Sequence, residues 1–133
     1  MLFRSVIHEL ERGQNYVYVH VEAPDECGHR AEIDNKVRSI ELIDEQIVGP
    51  VWRYLENLKK SSGEDYRLLL LPDHPTPLAL RTHTADPVPF AVYSSDGRDL
   101  LPAAAYDEDN CQKTGAFIAE GHRLLTCLIQ NGF

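Results

Sequence analysis

Arg67-Leu68-Leu69-Leu70-Leu71-Pro72-Asp73-His74 is the stretch on which the fold of this chain turns. A short unbroken apolar run after a turn reads as a strand buried on both faces, the pattern of a parallel sheet. Pro72 stops it, since proline has no amide to give to a ladder. Asp73 and His74 then emerge at the strand's carboxyl end, where α/β sheets assemble their sites.

Working toward the C-terminus, the dozen residues after His74 carry too much proline for a regular element. Residues 88–93 read as a further strand, pushed toward an edge by Pro89, and residues 94–97 as a turn. Residues 98–118 read as irregular, with Asp107-Glu108-Asp109 exposed. Leu124, Leu125, Leu128 and Ile129 mark a last helix over residues 121–129.

Working toward the N-terminus, Ile33, Val37, Ile40, Ile43, Ile47, Val51, Leu55 and Leu58 form one helical stripe. Glu32, Lys36, Arg38, Glu41, Asp44 and Glu45 form its polar side. Gly49-Pro50 predicts a kink or a break into two helices. Residues 16–22, rich in Val and Tyr, read as a strand that Pro24 ends, with a loop beyond it. Leu2, Phe3, Val6, Ile7 and Leu10 give an amphipathic helix over residues 2–12, stopped by Gly13. The order helix, strand, helix, strand, strand, helix predicts an α/β fold: one domain over residues 1–133, with a mostly parallel sheet flanked by helices. Three strands make a narrow sheet with an exposed edge, a hint that the fold continues in further polypeptide.

The 133 residues, 43% hydrophobic and 26% charged, are ordinary for a globular domain. A net charge of −8 argues against nucleic acid, whose phosphates need an excess of Lys and Arg. No apolar stretch approaches the ~20 residues of a membrane span, and no signal-peptide pattern opens the chain. Cys27, Cys111 and Cys127 contain no Cys-x-x-Cys pair, which fits free thiols in a reducing cytoplasm.

Chemistry concentrates in three places predicted to border strands: Asp25-Glu26-Cys27-Gly28-His29, Asp73-His74, and His83. Asp25 and His29 are four apart, a spacing that lets both side chains face one point. Gly28 allows close backbone approach. Two Asp and three His suit one or two divalent ions. Each group alone reads more simply as a solvated surface feature, and His8, His20 and His122 read as structural or solvent-facing. Cys27 is flanked by better ligands. It is the shared placement of the five that favours a metal site.

Residues 20–29, 71–77 and 81–90 together resemble the C-terminal metal motifs of cofactor-independent phosphoglycerate mutases of the archaeal type, within the alkaline phosphatase superfamily. The resemblance runs from about Asn15 to the C-terminus. It implies an alkaline-phosphatase-like core, of which this chain is the C-terminal portion. Asp25, His29 and His83 would bind one divalent ion, manganese in most relatives, with zinc, cobalt or magnesium also used. Asp73 and His74 would help bind a second. The activity implied is interconversion of 3- and 2-phosphoglycerate by two-metal phosphoryl transfer through a phosphoserine. That serine lies outside this chain: Ser5, Ser39, Ser61, Ser62, Ser94, Ser95, Thr76 and Thr84 stand in no matching context. No catalytic residue and no substrate ligand carries over, Lys36 and Arg81 being only near the motifs. The isolated chain is therefore expected to be inactive. Phosphoglycerate is the expected partner of the full-length enzyme, and a homo-oligomer is compatible with the pattern. Two alternatives stay open. One is another phosphoryl transferase of the superfamily, a phosphopentomutase or phosphatase, since Cys27-Gly28-His29-Arg30 resembles the phosphopentomutase loop. The other is a self-standing, non-catalytic metal-binding domain.

Overall fold

The computed structural model describes residues 2–97, 101 and 103–130. The chain forms two compact units, Met1–Gly63 with Pro75–Ala85, and Glu64–His74 with Asp86–Phe133.

The first unit is helical. α1 (Leu2–Glu11) takes the expected place and packs against α4 (Gly49–Ser62). Among the described residues, Val6, Val51 and Leu55 are its buried apolar side chains, each worth roughly 1.5–3 kcal/mol. α2 (Ala23–His29) occupies the segment expected to be a loop. Pro24 does not prevent it, because at the first turn its missing amide would have had no intrahelical partner. α2 ends with Ala31 in the left-handed region (φ 56°). The amide of Glu32 donates to Cys27 O (2.9 Å) and that of Ala31 to Gly28 O (3.1 Å), a Schellman closure that usually uses glycine. With alanine there, the sequence carries no glycine stop signal for this helix.

α3 (Ile33–Ile43) packs on α2. Where a kink or a break into two helices was expected, α3 and α4 are distinct α-helices joined by a π-helical turn over Asp44–Val48, with Val48 and Gly49 both helical. Widening by one residue lets the helix absorb Pro50, whose ring would otherwise strike the preceding turn. Gly63 closes α4 at φ 76°, its amide on Lys59 O at 2.9 Å. The predicted stripe divides along this length: Val51 and Leu55 are buried, whereas Ile33, Val37 and Ile40 are at least half exposed. In α3 the side turned inward carries Lys36, Ser39, Leu42 and Ile43.

Residues 16–22, expected to be a strand, join no ladder among the described residues, and Tyr16 and Tyr18 are exposed. Valine and tyrosine favour extended backbone, but a strand exists only where a partner takes its hydrogen bonds.

The second unit holds β1 (Arg67–Leu70) and β2 (Ala91–Ser94), paired from Arg67↔Ser94 to Leu70↔Ala91. The ladder is antiparallel, which corrects the expected parallel sheet while leaving helices and strands mixed in one chain. A parallel pair needs a crossover, usually a helix, and the proline-rich link between these strands contains none. β1 is half-buried at all four positions. β2 begins three residues later than predicted, beyond Pro89. The Arg67 guanidinium donates to Leu128 O (2.7 Å), tying β1 to α6 (Leu124–Gln130), which a 3-10 turn over Gly121–Arg123 precedes. Within the stretch read as irregular, α5 (Glu108–Lys113) forms behind an Asp107 cap whose carboxylate accepts from Asn110 N. Residues 98–100 and 102 of that stretch lie outside the described residues.

Candidate metal centre

α2 sets the first two donors. On a helix, positions four apart share a face, and Asp25 Oδ2 lies 3.4 Å from His29 Nε2. The segment 75–85 of the same unit brings His83, whose Nε2 is 3.3 Å from Asp25 Oδ1 and 3.1 Å from His29 Nε2. The two imidazole rings are 4.9 Å apart and tilted by 48°.

That loop is closed by the amide of Thr84 on Pro75 O (3.1 Å), and turned by those of Leu80 and Arg81, both on Pro77 O. Arg81 takes φ 55° there, a left-handed conformation costing a bulky residue about 1–2 kcal/mol. In return its carbonyl sits 3.0 Å from His29 Nδ1. A carbonyl can only accept, so His29 Nδ1 carries a proton, which in the neutral ring leaves the Nε2 lone pair on the side of His83 and Asp25. An outer hydrogen bond of this kind fixes tautomer and ring orientation in metal-binding histidines.

Thr76 lies beneath Asp25. It is 5% exposed, its hydroxyl donates to Asp25 Oδ1, and its carbonyl accepts from Lys36 Nζ at 2.8 Å. A Cβ on Gly28 would stand 2.7 Å from Thr76 O and 2.8 Å from its methyl, so this approach requires glycine. The close approach anticipated for Gly28 is thus made, and its partner is Thr76.

These donors can be tested against a divalent ion by their spacing. Around an ion with bonds of about 2.1 Å, neighbouring ligand atoms stand about 3.0 Å apart in an octahedron and about 3.4 Å in a tetrahedron. The observed 3.1 Å between the two imidazole nitrogens, and 3.3–3.4 Å from each to its own carboxylate oxygen (Oδ1 for His83, Oδ2 for His29), falls in that interval. Two imidazoles and one carboxylate also form a donor set that first-row divalent metals accept. The residues fit the group.

Within the first unit, Asp25, His29 and His83 of the expected ligands meet. Asp73 and His74 belong to the other unit. There they pair locally, His74 Nε2 at 3.2 Å from Asp73 Oδ2, with the His74 amide donating to Asp73 Oδ1 at 3.0 Å. Lys36 and Arg81, which lie near the motifs in sequence, contact Thr76 and His29, one through its ammonium and the other through its backbone carbonyl. His20 is solvent-facing, as read, beside Tyr18.

A profile of the Metalloenzyme superfamily matches residues 1–127. The chain is 41% identical over 126 residues to a 2,3-bisphosphoglycerate-independent phosphoglycerate mutase of Methanosarcina barkeri, covering 95% of this chain and 31% of that protein. It is 48% identical over 113 residues to the enzyme of that name from Methanothrix thermoacetophila, covering 85% and 28%. A probable phosphoglycerate mutase of Geobacter sulfurreducens is 40% identical over 121 residues, covering 91% and 29%. The chain therefore spans about three-tenths of the length of these relatives. No solved structure matches it. Similarity to cofactor-independent phosphoglycerate mutases thus covers most of the chain, and the chain belongs to the Metalloenzyme superfamily.

Proposed function

We propose that this chain is the C-terminal, metal-binding portion of a cofactor-independent phosphoglycerate mutase. The whole enzyme would interconvert 3- and 2-phosphoglycerate by phosphoryl transfer through a serine that this chain does not supply. The carrying observation is the meeting of His29 Nε2, His83 Nε2 and the Asp25 carboxylate within 3.1–3.4 Å of one another.

Asp25, His29 and His83 would hold one divalent ion, with manganese the first candidate and zinc, cobalt or magnesium the others. Asp73 and His74 would supply part of the site for a second. Bound ions would neutralise charge on the phosphoryl group and activate the attacking oxygen. The chain's own part is orientation. Arg81 O holds the proton of His29 on Nδ1, and α2 keeps Asp25 and His29 on one face. The residues that grip phosphate and carboxylate belong to the remaining polypeptide.

Two further observations support an incomplete enzyme. The chain matches about three-tenths of each relative. Among the described residues only Val6, Val51, Leu55 and Leu124 are buried apolar side chains, while Ile33, Val37 and Ile40 form an uncovered stripe. Further polypeptide of the same enzyme would cover that stripe and pair with residues 16–22. No described helix is long and apolar enough to cross a membrane. The three cysteines are unpaired thiols, in keeping with a cytoplasmic enzyme.

Calorimetric titration of the chain with manganese, beside an assay with 3-phosphoglycerate, tests this reading. The expected result is metal binding lost in His29→Ala, with no turnover by the isolated chain. Turnover by the pure chain, abolished in His29→Ala, would overturn the incomplete-enzyme reading. Failure to bind manganese, zinc, cobalt or magnesium would overturn the metal centre.

A further inference from the structure

We infer that Thr76 is a positioning residue for the metal-binding carboxylate: its buried hydroxyl sets the rotation of Asp25 so that one oxygen faces each histidine. This rests on the metal-binding reading above.

A carboxylate on a short stem turns freely about its last bond, and that bond has a broad torsional preference. Asp25 must nonetheless present Oδ2 to His29 and Oδ1 to His83. The Thr76 hydroxyl donates to Oδ1, which pins the plane of the group and leaves lone pairs on both oxygens.

Thr76 is itself held on three sides. Its methyl lies against Gly28, 2.8 Å from where a Cβ would be. Because both substituents sit on a β-branched carbon with a stiff χ1, seating the methyl there aims the hydroxyl at Asp25. Its carbonyl is held by Lys36 Nζ. Its backbone belongs to the loop closed by Thr84 N on Pro75 O. The clamp thus draws on α2, α3 and the loop that carries His83.

A purely structural threonine would fill space and satisfy its hydroxyl on any acceptor. What separates the two roles is the response to Thr76→Val, which keeps the shape and removes the donor, and to Thr76→Ser, which keeps the donor and removes the methyl. The expected result in calorimetry with manganese is a roughly tenfold or greater loss of affinity in Thr76→Val, the scale of outer hydrogen bonds to metal ligands. Thr76→Ser should recover most of that loss. The thermal midpoints of the metal-free proteins should not follow this order. Thr76→Ala removes the same hydroxyl without an apolar branch, and stands in if the valine variant does not fold. Wild-type affinity in both Thr76→Val and Thr76→Ala would overturn the inference alone. So would equal weakening by serine and valine that tracks metal-free stability. Absence of metal binding by the unsubstituted chain would overturn the metal centre, and this role with it.

Discussion

Gly28 carries the sharpest steric demand at the residue scale. An alanine there would put its methyl 2.7 Å from a backbone oxygen, well inside contact distance. Gly28→Ala should therefore destabilise the chain by about 1–3 kcal/mol, measured by urea denaturation, although alanine is the better helix former. A loss under a few tenths of a kcal/mol would mean that the loop moves aside freely. Tyr106 makes a second prediction. Its hydroxyl sits between Leu70 O (3.3 Å) and Pro89 O (3.1 Å), two acceptors that a phenolate would repel. Burial first, then the nearby Cys111 and Glu108, push its pKa up to about 12. A folded-state value above the unfolded one gives stability that is full below pH 10 and lost as pH rises toward about 12. Ultraviolet titration should show one tyrosine ionising last, and Tyr106→Phe should remove that phase. Asp25 and His29 were legible as candidates from their spacing and company, but the helix that puts them on one face was not, since the segment reads as a loop. Thr76 was not, because its meaning comes from partners 51 and 40 positions away.

Short helices were the least readable elements, and α5 shows why. The acidic run at residues 107–109 reads as surface, yet Asp107 is an N-cap whose carboxylate takes both the amide (2.8 Å) and the side-chain nitrogen of Asn110. Asp107 and Asn110 were the available signal, since aspartate is a favoured cap. Those hydrogen bonds hold the Asp107 carboxyl below its ordinary value of 3.8. The cap's contribution is therefore present above pH 3.8 and lost as pH falls through the lowered folded-state value. The Asn110 amide resonance should move toward its unfolded position over that acid range, and in Asp107→Ala at neutral pH. An Asn110 shift that ignores both changes would remove the cap from the account. The long helix was legible from its period of hydrophobic residues. Its passage through Pro50 was not, since a π-helical turn is a backbone adjustment with no pattern of its own.

Across the whole molecule, the sequence conveyed which residues are apolar but not which of them are covered. Ile33, Val37 and Ile40 obey the same periodicity as Val51 and Leu55, but only the latter two are buried. Likewise, the apolar run at 67–71 promised a strand and delivered one, but the direction of its partner depends on the connection between them. Replacing Ile33, Val37 and Ile40 with glutamine should shift the stability of the isolated chain by no more than about 0.5 kcal/mol per site, as for other surface changes. A cooperative loss of several kcal/mol in denaturant would show that the stripe is already packed in solution.

The hold on His29 comes from the main-chain oxygen of Arg81 rather than from its side chain. Exchanging Arg81 for another residue able to hold φ 55° leaves that oxygen in place, so loss of the side chain alone does not delete the contact. Adding or removing a single residue between 77 and 81 would instead carry the oxygen out of register with the imidazole. The lesion this centre resists least is a change in chain length.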